Sequence, residues 1–98
     1  MAKLTDKFKR IVEIVWKDAE ELGEVGWNNL GEILKCSKKP SPIIKSVGYV
    51  IHEDSDHISI LSSIGPEVCG SLEKIPKSFV ITIRDLSEQI KPPIGGNQ

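Results

Sequence analysis

Residues 43–61 read IIKSVGYVIHEDSDHISIL, two runs of β-branched and apolar residues on either side of the polar block His52-Glu53-Asp54-Ser55-Asp56-His57. Apolar runs of this composition, bounded by polar residues, predict two strands joined as a hairpin. Residues 53–56 suit the tip, because Asp and Ser side chains hydrogen-bond the neighbouring backbone and tolerate turn geometry. The same block also raises the question of a site. Asp54 and Asp56 resemble the first oxygen ligands of a calcium loop, but that loop needs a glycine at its sharp turn and a Glu at its twelfth position, which here is Gly65. His52 and His57 have no further histidine to join them, and Cys36 and Cys69 lie far off in sequence, so no metal is expected. Acid–base catalysis needs a substrate pocket as well as titratable groups, and nothing in the block implies one. A polar hairpin tip is the expectation.

Downstream, CGSLEKI and SFVITIRDL repeat the strand composition, with Pro76 at the corner between them, where its missing N–H does least harm. Upstream the pattern is ambiguous. Leu4, Phe8, Ile11, Val12, Val15, Ala19 and Leu22 fall at helical spacings, yet Val12, Ile14 and Trp16 alternate with Glu13 and Lys17 as a half-buried strand would. A short N-terminal helical segment running into a strand over residues 10–18 reconciles the two patterns. Gly23, Gly26 and Gly31 then interrupt any long element, while Asn28 or Asn29 is placed to cap a short helical turn through Leu34. Lys35, Lys38 and Lys39 with Pro40 and Pro42 predict an exposed basic loop. Five strands at short spacing suffice to close a small barrel and remove the sheet edges.

Composition fits one domain over residues 1–90 with a flexible Pro- and Gly-rich tail at 91–98. A chain of 98 residues with 39% apolar and 28% charged content buries about two-thirds of its unfolded surface. Thirteen Lys and Arg against 14 Asp and Glu leave no overall field to draw the protein onto nucleic acid or a membrane, so such binding needs a local patch. No apolar run approaches the ~20 residues of a membrane span, there is no signal-peptide core, and two cysteines without a CxxC read as free thiols. A cytoplasmic setting is expected. The sequence contains no GxSxG, no phosphate-binding glycine loop and no nucleophilic triad, so no enzyme activity and no cofactor are expected.

The order of these motifs resembles the Sm-like family, which includes the bacterial RNA chaperone Hfq and the Lsm proteins. IVEIVWKDA resembles the family's first strand, VxVxLxDG. Gly48, Asp54 and Leu61 match the spacing of GxLxxxDxxxNlxL, and IPKSFVITIRDL resembles its last strand. VGYVIHEDSDHI and IRDL are also similar to short phage and prophage proteins, including a cyanophage-like branch. Together the motifs cover most of residues 11–86. The family's RNA-contacting asparagine falls at Ile58, the glycine of its second motif, IRG, is replaced in IPK by Lys77 or has no counterpart, and the first connection is long for the family.

The resemblance implies a mainly β fold, a small five-stranded, strongly bent antiparallel barrel of the Sm-like or SH3-like kind, with short helical segments near the N-terminus and in the first connection. It also implies a homo-oligomeric ring of five to seven chains, built by pairing the edges of the fourth and fifth strands, with RNA or single-stranded nucleic acid near the axis. Asp54, Ser55, Asp56, His57 and Lys77 would then line the pore, with Lys38, Lys39 and Lys45 on phosphates. The alternative is a small phage structural or host-interaction adaptor acting through protein contacts, with Trp16 and Trp27 as apolar anchors. A small enzyme built on His52, Glu53 and His57 is a third, remoter possibility.

Overall fold

The computed structural model describes residues 7–87; the tail and most of the N-terminal helical segment expected from the sequence lie outside them. The elements run β1 (Ile11–Lys17), α1 (Leu30–Ser37), β2 (Ile43–Glu53), β3 (His57–Leu61), β4 (Leu72–Pro76), a 3-10 turn (Lys77–Phe79) and β5 (Val80–Asp85). All five strands form one antiparallel sheet in the order β4-β3-β2-β1-β5. The protein is therefore mainly β, as expected, and the ambiguous N-terminal pattern resolves as a strand.

Alternation explains why β1 is a strand. Val12 and Ile14 are fully buried and the residues between them are not, which is the period-two signature that the helical spacing obscured. They join Ile58, Ile60 and Ile75 in the core, with Trp16, Val50, Val80 and Ile83 packed against it. Val80 and Ile83 are three residues apart and could not share a face in a regular strand. A bulge opposite Val15 and Trp16 leaves Ile81 unpaired, which restores the register and turns Ile81 to the surface.

Among the described residues the sheet is not closed, because β4 pairs only with β3 and β5 only with β1. It is nonetheless strongly curled. The two edges of a flat five-stranded sheet would lie roughly 19 Å apart, and the four Cα–Cα steps from Pro76 to Val80 span at most about 15 Å. Curling also shows in the interior. The Ser46 hydroxyl on β2 donates to Glu73 on β4 at 3.1 Å and accepts from the Trp16 indole N–H on β1, also at 3.1 Å. In register, Glu73 stands level with Val50, two strands across and four residues along from Ser46, a separation of about 16 Å in a flat sheet. Only a bend in β2 brings the two side chains together. Gly48 lies at that bend, where a Cβ would come within 2.7 Å of the Leu61 carbonyl oxygen.

The connection between β1 and β2, residues 18–42, is built differently. Asn28 closes a tight turn by accepting the Glu24 N–H and donating to the Glu24 carbonyl, both at 3.0 Å, with Gly23 and Gly26 at φ 106° and 103°. Asn29 then caps α1 by accepting the Glu32 N–H at 3.0 Å. The helix runs one turn beyond the expected Leu34, and it buries no residue. Between β3 and β4 the hairpin continues past Leu61 through a bridge of Ile64 with Cys69, and the expected strand CGSLEKI is shorter than predicted, starting at Leu72.

Candidate functional site

The β2–β3 hairpin tip gathers more chemistry than any other part of the described chain. β2 ends at Glu53 and β3 begins at His57, so the turn falls where the polar block predicts it. Asp54 organises it: one carboxylate oxygen, Oδ1, accepts the N–H groups of Asp56 and His57 at 2.8 and 2.9 Å, and the Asp54 N–H donates to the His57 carbonyl at 3.0 Å. Its other oxygen, Oδ2, lies 2.7 Å from His52 Nε2. The hydrogen bond from His52, followed by the two backbone donors, holds the Asp54 carboxyl well below the usual carboxylate range. His57 Nδ1 is 3.0 Å from Asp56 and 3.6 Å from the nearer Asp54 oxygen, and the two imidazole rings lie 5.2 Å apart.

A register shift brings the two histidines to one face. Val50 pairs with Ile60 but His52 pairs with Ser59, leaving Ile51 as an extra residue. In an unbroken ladder His52 would face Ile58, on the core side, and its ring would point away from His57. The bulge turns His52 onto the face shared by Ser59 and His57.

On the core side of the same tip sits a compact ion network. Glu53 pairs with Ile58 and its carboxylate takes both the Arg10 guanidinium and the Lys77 ammonium, the latter at 2.8 Å. Lys77, and then Arg10, hold the Glu53 carboxyl below its ordinary value. Arg10 also reaches Asp85 on β5 at 3.2 Å, and pairing with Glu53 raises its own pKa further. The Lys77 N–H donates to the Asp56 carbonyl at 2.8 Å, docking the 3-10 turn against the hairpin.

Of the residues singled out by sequence, Asp54, Ser55, Asp56, His57 and Lys77 are therefore neighbours. Lys38, Lys39 and Lys45 are not. Lys45 lies eight residues before Glu53 on β2, up to about 27 Å of strand away, and Lys38 and Lys39 follow α1 at that far end. Ile58, where the resemblance would put an RNA-contacting asparagine, is fully buried in the core and offers nothing to a base. Sequence reasoning weighed the two histidines and the two aspartates as separate sites and missed that Asp54 is the third donor beside His52 and His57. The spacing H-x-D-x-x-H across a turn is the signal that could have found it. Arg10 was missed as well, and its meeting with Glu53 depends on strand order.

Shallow depressions on the described surface include those lined by Lys17, Phe79 and Ile81, by Leu22, Ile33 and Cys36, and by Phe8, Ile51 and Val68; none of these contains the hairpin tip. No helix of the described residues is long and apolar enough to cross a membrane. No protein-family model matches the sequence, and comparison with curated proteins and with solved structures likewise finds no match.

Proposed function

We propose that the protein is a non-enzymatic, Sm-like module that assembles with copies of itself into a ring and holds single-stranded nucleic acid against it. The observation that carries this is the strand order, which among the described residues leaves β4 and β5 as edges with one unpaired side each. Exposed edges template further pairing unless something covers them, and Leu72 on one and Ile81 on the other are half-exposed apolar side chains, beside the charged Glu73 and Lys74 on β4 and Arg84 and Asp85 on β5. Because the two edges differ, pairing β4 of one copy with β5 of the next is heterologous, and such contacts generate rings when the rotation closes. The curled, unclosed sheet would then become a barrel whose gap is bridged by neighbours. Strand order and curl together agree with the Sm-like motifs in Gly48, Asp54 and Leu61.

Charge distribution favours one face for the ligand. At the hairpin tip Lys77 is committed to Glu53, and Asp54 and Asp56 add two more carboxylates, so the tip repels phosphates. Lys38, Lys39 and Lys45 are exposed, with no acidic partner among the described residues, and they supply the phosphate contacts. Light scattering on the purified chain tests assembly, and anisotropy with oligo-U and oligo-A at low and physiological salt tests binding. A discrete multiple of the chain mass that falls on Leu72→Lys, with salt-sensitive binding weakened by Lys38→Glu, is expected. A monomer overturns the ring.

One observation favours a second reading, a protein-binding adaptor: Val25 and Trp27 in the first connection have full solvent exposure, and Leu30 on α1 is 71% exposed. A ring that binds neither oligonucleotide would shift the function to this surface.

A further inference from the structure

We propose that the tip of the β2–β3 hairpin is a binding site for a divalent transition-metal ion of the zinc class, held by one ring nitrogen each of His52 and His57 and a carboxylate oxygen of Asp54. This goes beyond the ring and is independent of it, since all three ligands come from one hairpin of one chain.

The donor set selects the ion. Two imidazoles and one carboxylate suit Zn²⁺, Co²⁺, Ni²⁺ or Cu²⁺, whereas Ca²⁺ and Mg²⁺ demand a shell of oxygens that the turn does not supply. Three protein ligands with a fourth position open to water is an ordinary zinc arrangement. The three donor atoms already lie within 4.8 Å of one another. Around a tetrahedral ion with bonds of about 2.0–2.1 Å, ligand atoms sit roughly 3.4 Å apart. His57 Nδ1 lies 3.6 Å from Asp54 Oδ1, near that spacing, and His52 Nε2 lies 2.7 Å from the other oxygen, Oδ2, a hydrogen-bond contact that a bound ion would replace.

Supporting groups are in place. Asp54 is anchored by the backbone N–H groups of Asp56 and His57, so its carboxylate is oriented before any ion arrives. Asp56 touches the same His57 nitrogen, Nδ1, at 3.0 Å, so binding exchanges that carboxylate contact for the ion. The nearest cations, Arg10 and Lys77, are neutralised by Glu53 on the opposite face of the ladder, and Arg10 also by Asp85. The bulge at Ile51 acquires a purpose, because without it His52 would face away from the other two ligands.

Isothermal titration of the full chain with ZnCl₂ at neutral pH, with CoCl₂ absorption as a second readout, tests the site. One ion per chain is expected, with a rise in Tm for the wild type. His52→Gln and His57→Gln should each weaken binding by at least about ten-fold and abolish the Tm rise. Asp54→Asn keeps a carbonyl oxygen for the turn's two N–H groups while removing the charged ligand, so it should weaken binding as much while leaving the circular dichroism unchanged. No binding at about 1 mM Zn²⁺ overturns the proposal. So does equal affinity across the wild type and all three variants, the signature of an adventitious ion only, or binding of CaCl₂ as tight as that of ZnCl₂.

Discussion

The two segments that flank β2 make a useful contrast. On one side, residues 18–42 are closed by a bond from the Asp18 N–H to the Pro42 carbonyl and otherwise shaped by local hydrogen bonds: Asn28 closes a turn, Asn29 caps a helix, and α1 buries nothing. On the other, β3 places Ile58 and Ile60 in the core and is tied to β2 and β4 along its whole length. Leu34 and Ile58 are both aliphatic residues in regular elements, yet one is 50% exposed and the other is 0% exposed. Local propensity is enough to shape a segment, whereas stability comes from apolar surface removed from water.

The contrast is broken or upheld most sharply by truncation. Ile58→Ala should cost about 2–5 kcal/mol in urea unfolding, because it leaves a cavity in a core of five buried side chains. Leu34→Ala should cost no more than about 0.5 kcal/mol, and a comparable loss at the two sites would mean that α1 is packed against something after all.

A smaller effect sharpens the role of curvature. Ser46→Ala removes the acceptor of the Trp16 indole N–H and the donor to Glu73, and should cost about 1–2 kcal/mol, with a change in Trp16 fluorescence. The matching substitution in the connection, Asn29→Ala, should instead speed hydrogen exchange within α1 and leave the global urea midpoint unchanged.

The smallest effect concerns the sheet's β5 edge. The Ser87 N–H and hydroxyl, and then Arg10, hold the Asp85 carboxyl below its usual range. A carboxyl depressed in the folded state stabilises fully above its ordinary pKa of about 3.9, and that stabilisation is lost as pH falls through the folded value. Asp85→Asn should therefore lower the urea midpoint slightly at neutral pH and converge with the wild type in acid. A gap that widens in acid would contradict this sign.

Much of the fold was legible because its signals are local. The hairpin of residues 43–61, its Asp54 turn, the Asn29 cap and the strand composition of β4 and β5 follow from side-chain preferences that neighbours in sequence express directly. The N-terminal strand was legible only in part, since Val12 serves a helical period with Val15 and a strand period with Ile14 until burial separates them. The candidate site was half legible. Its turn was foreseen, but grouping Lys38, Lys39 and Lys45 with Lys77 was an inference about nucleic-acid contact that sequence could not place in space.

What the sequence determined by itself is a small, mainly β chain with a polar hairpin tip, because alternation and turn chemistry act over a few residues. What only the tertiary structure decided is where that tip points. The extra residue at Ile51 puts His52 beside His57, and the extra residue at Ile81 lets Val80 and Ile83 share the core. Each bulge is a compromise between a strand's own register and the curvature needed to bury Ile14, Ile58 and Ile75 together. Such a compromise depends on partners far away in the chain, and no local pattern records it.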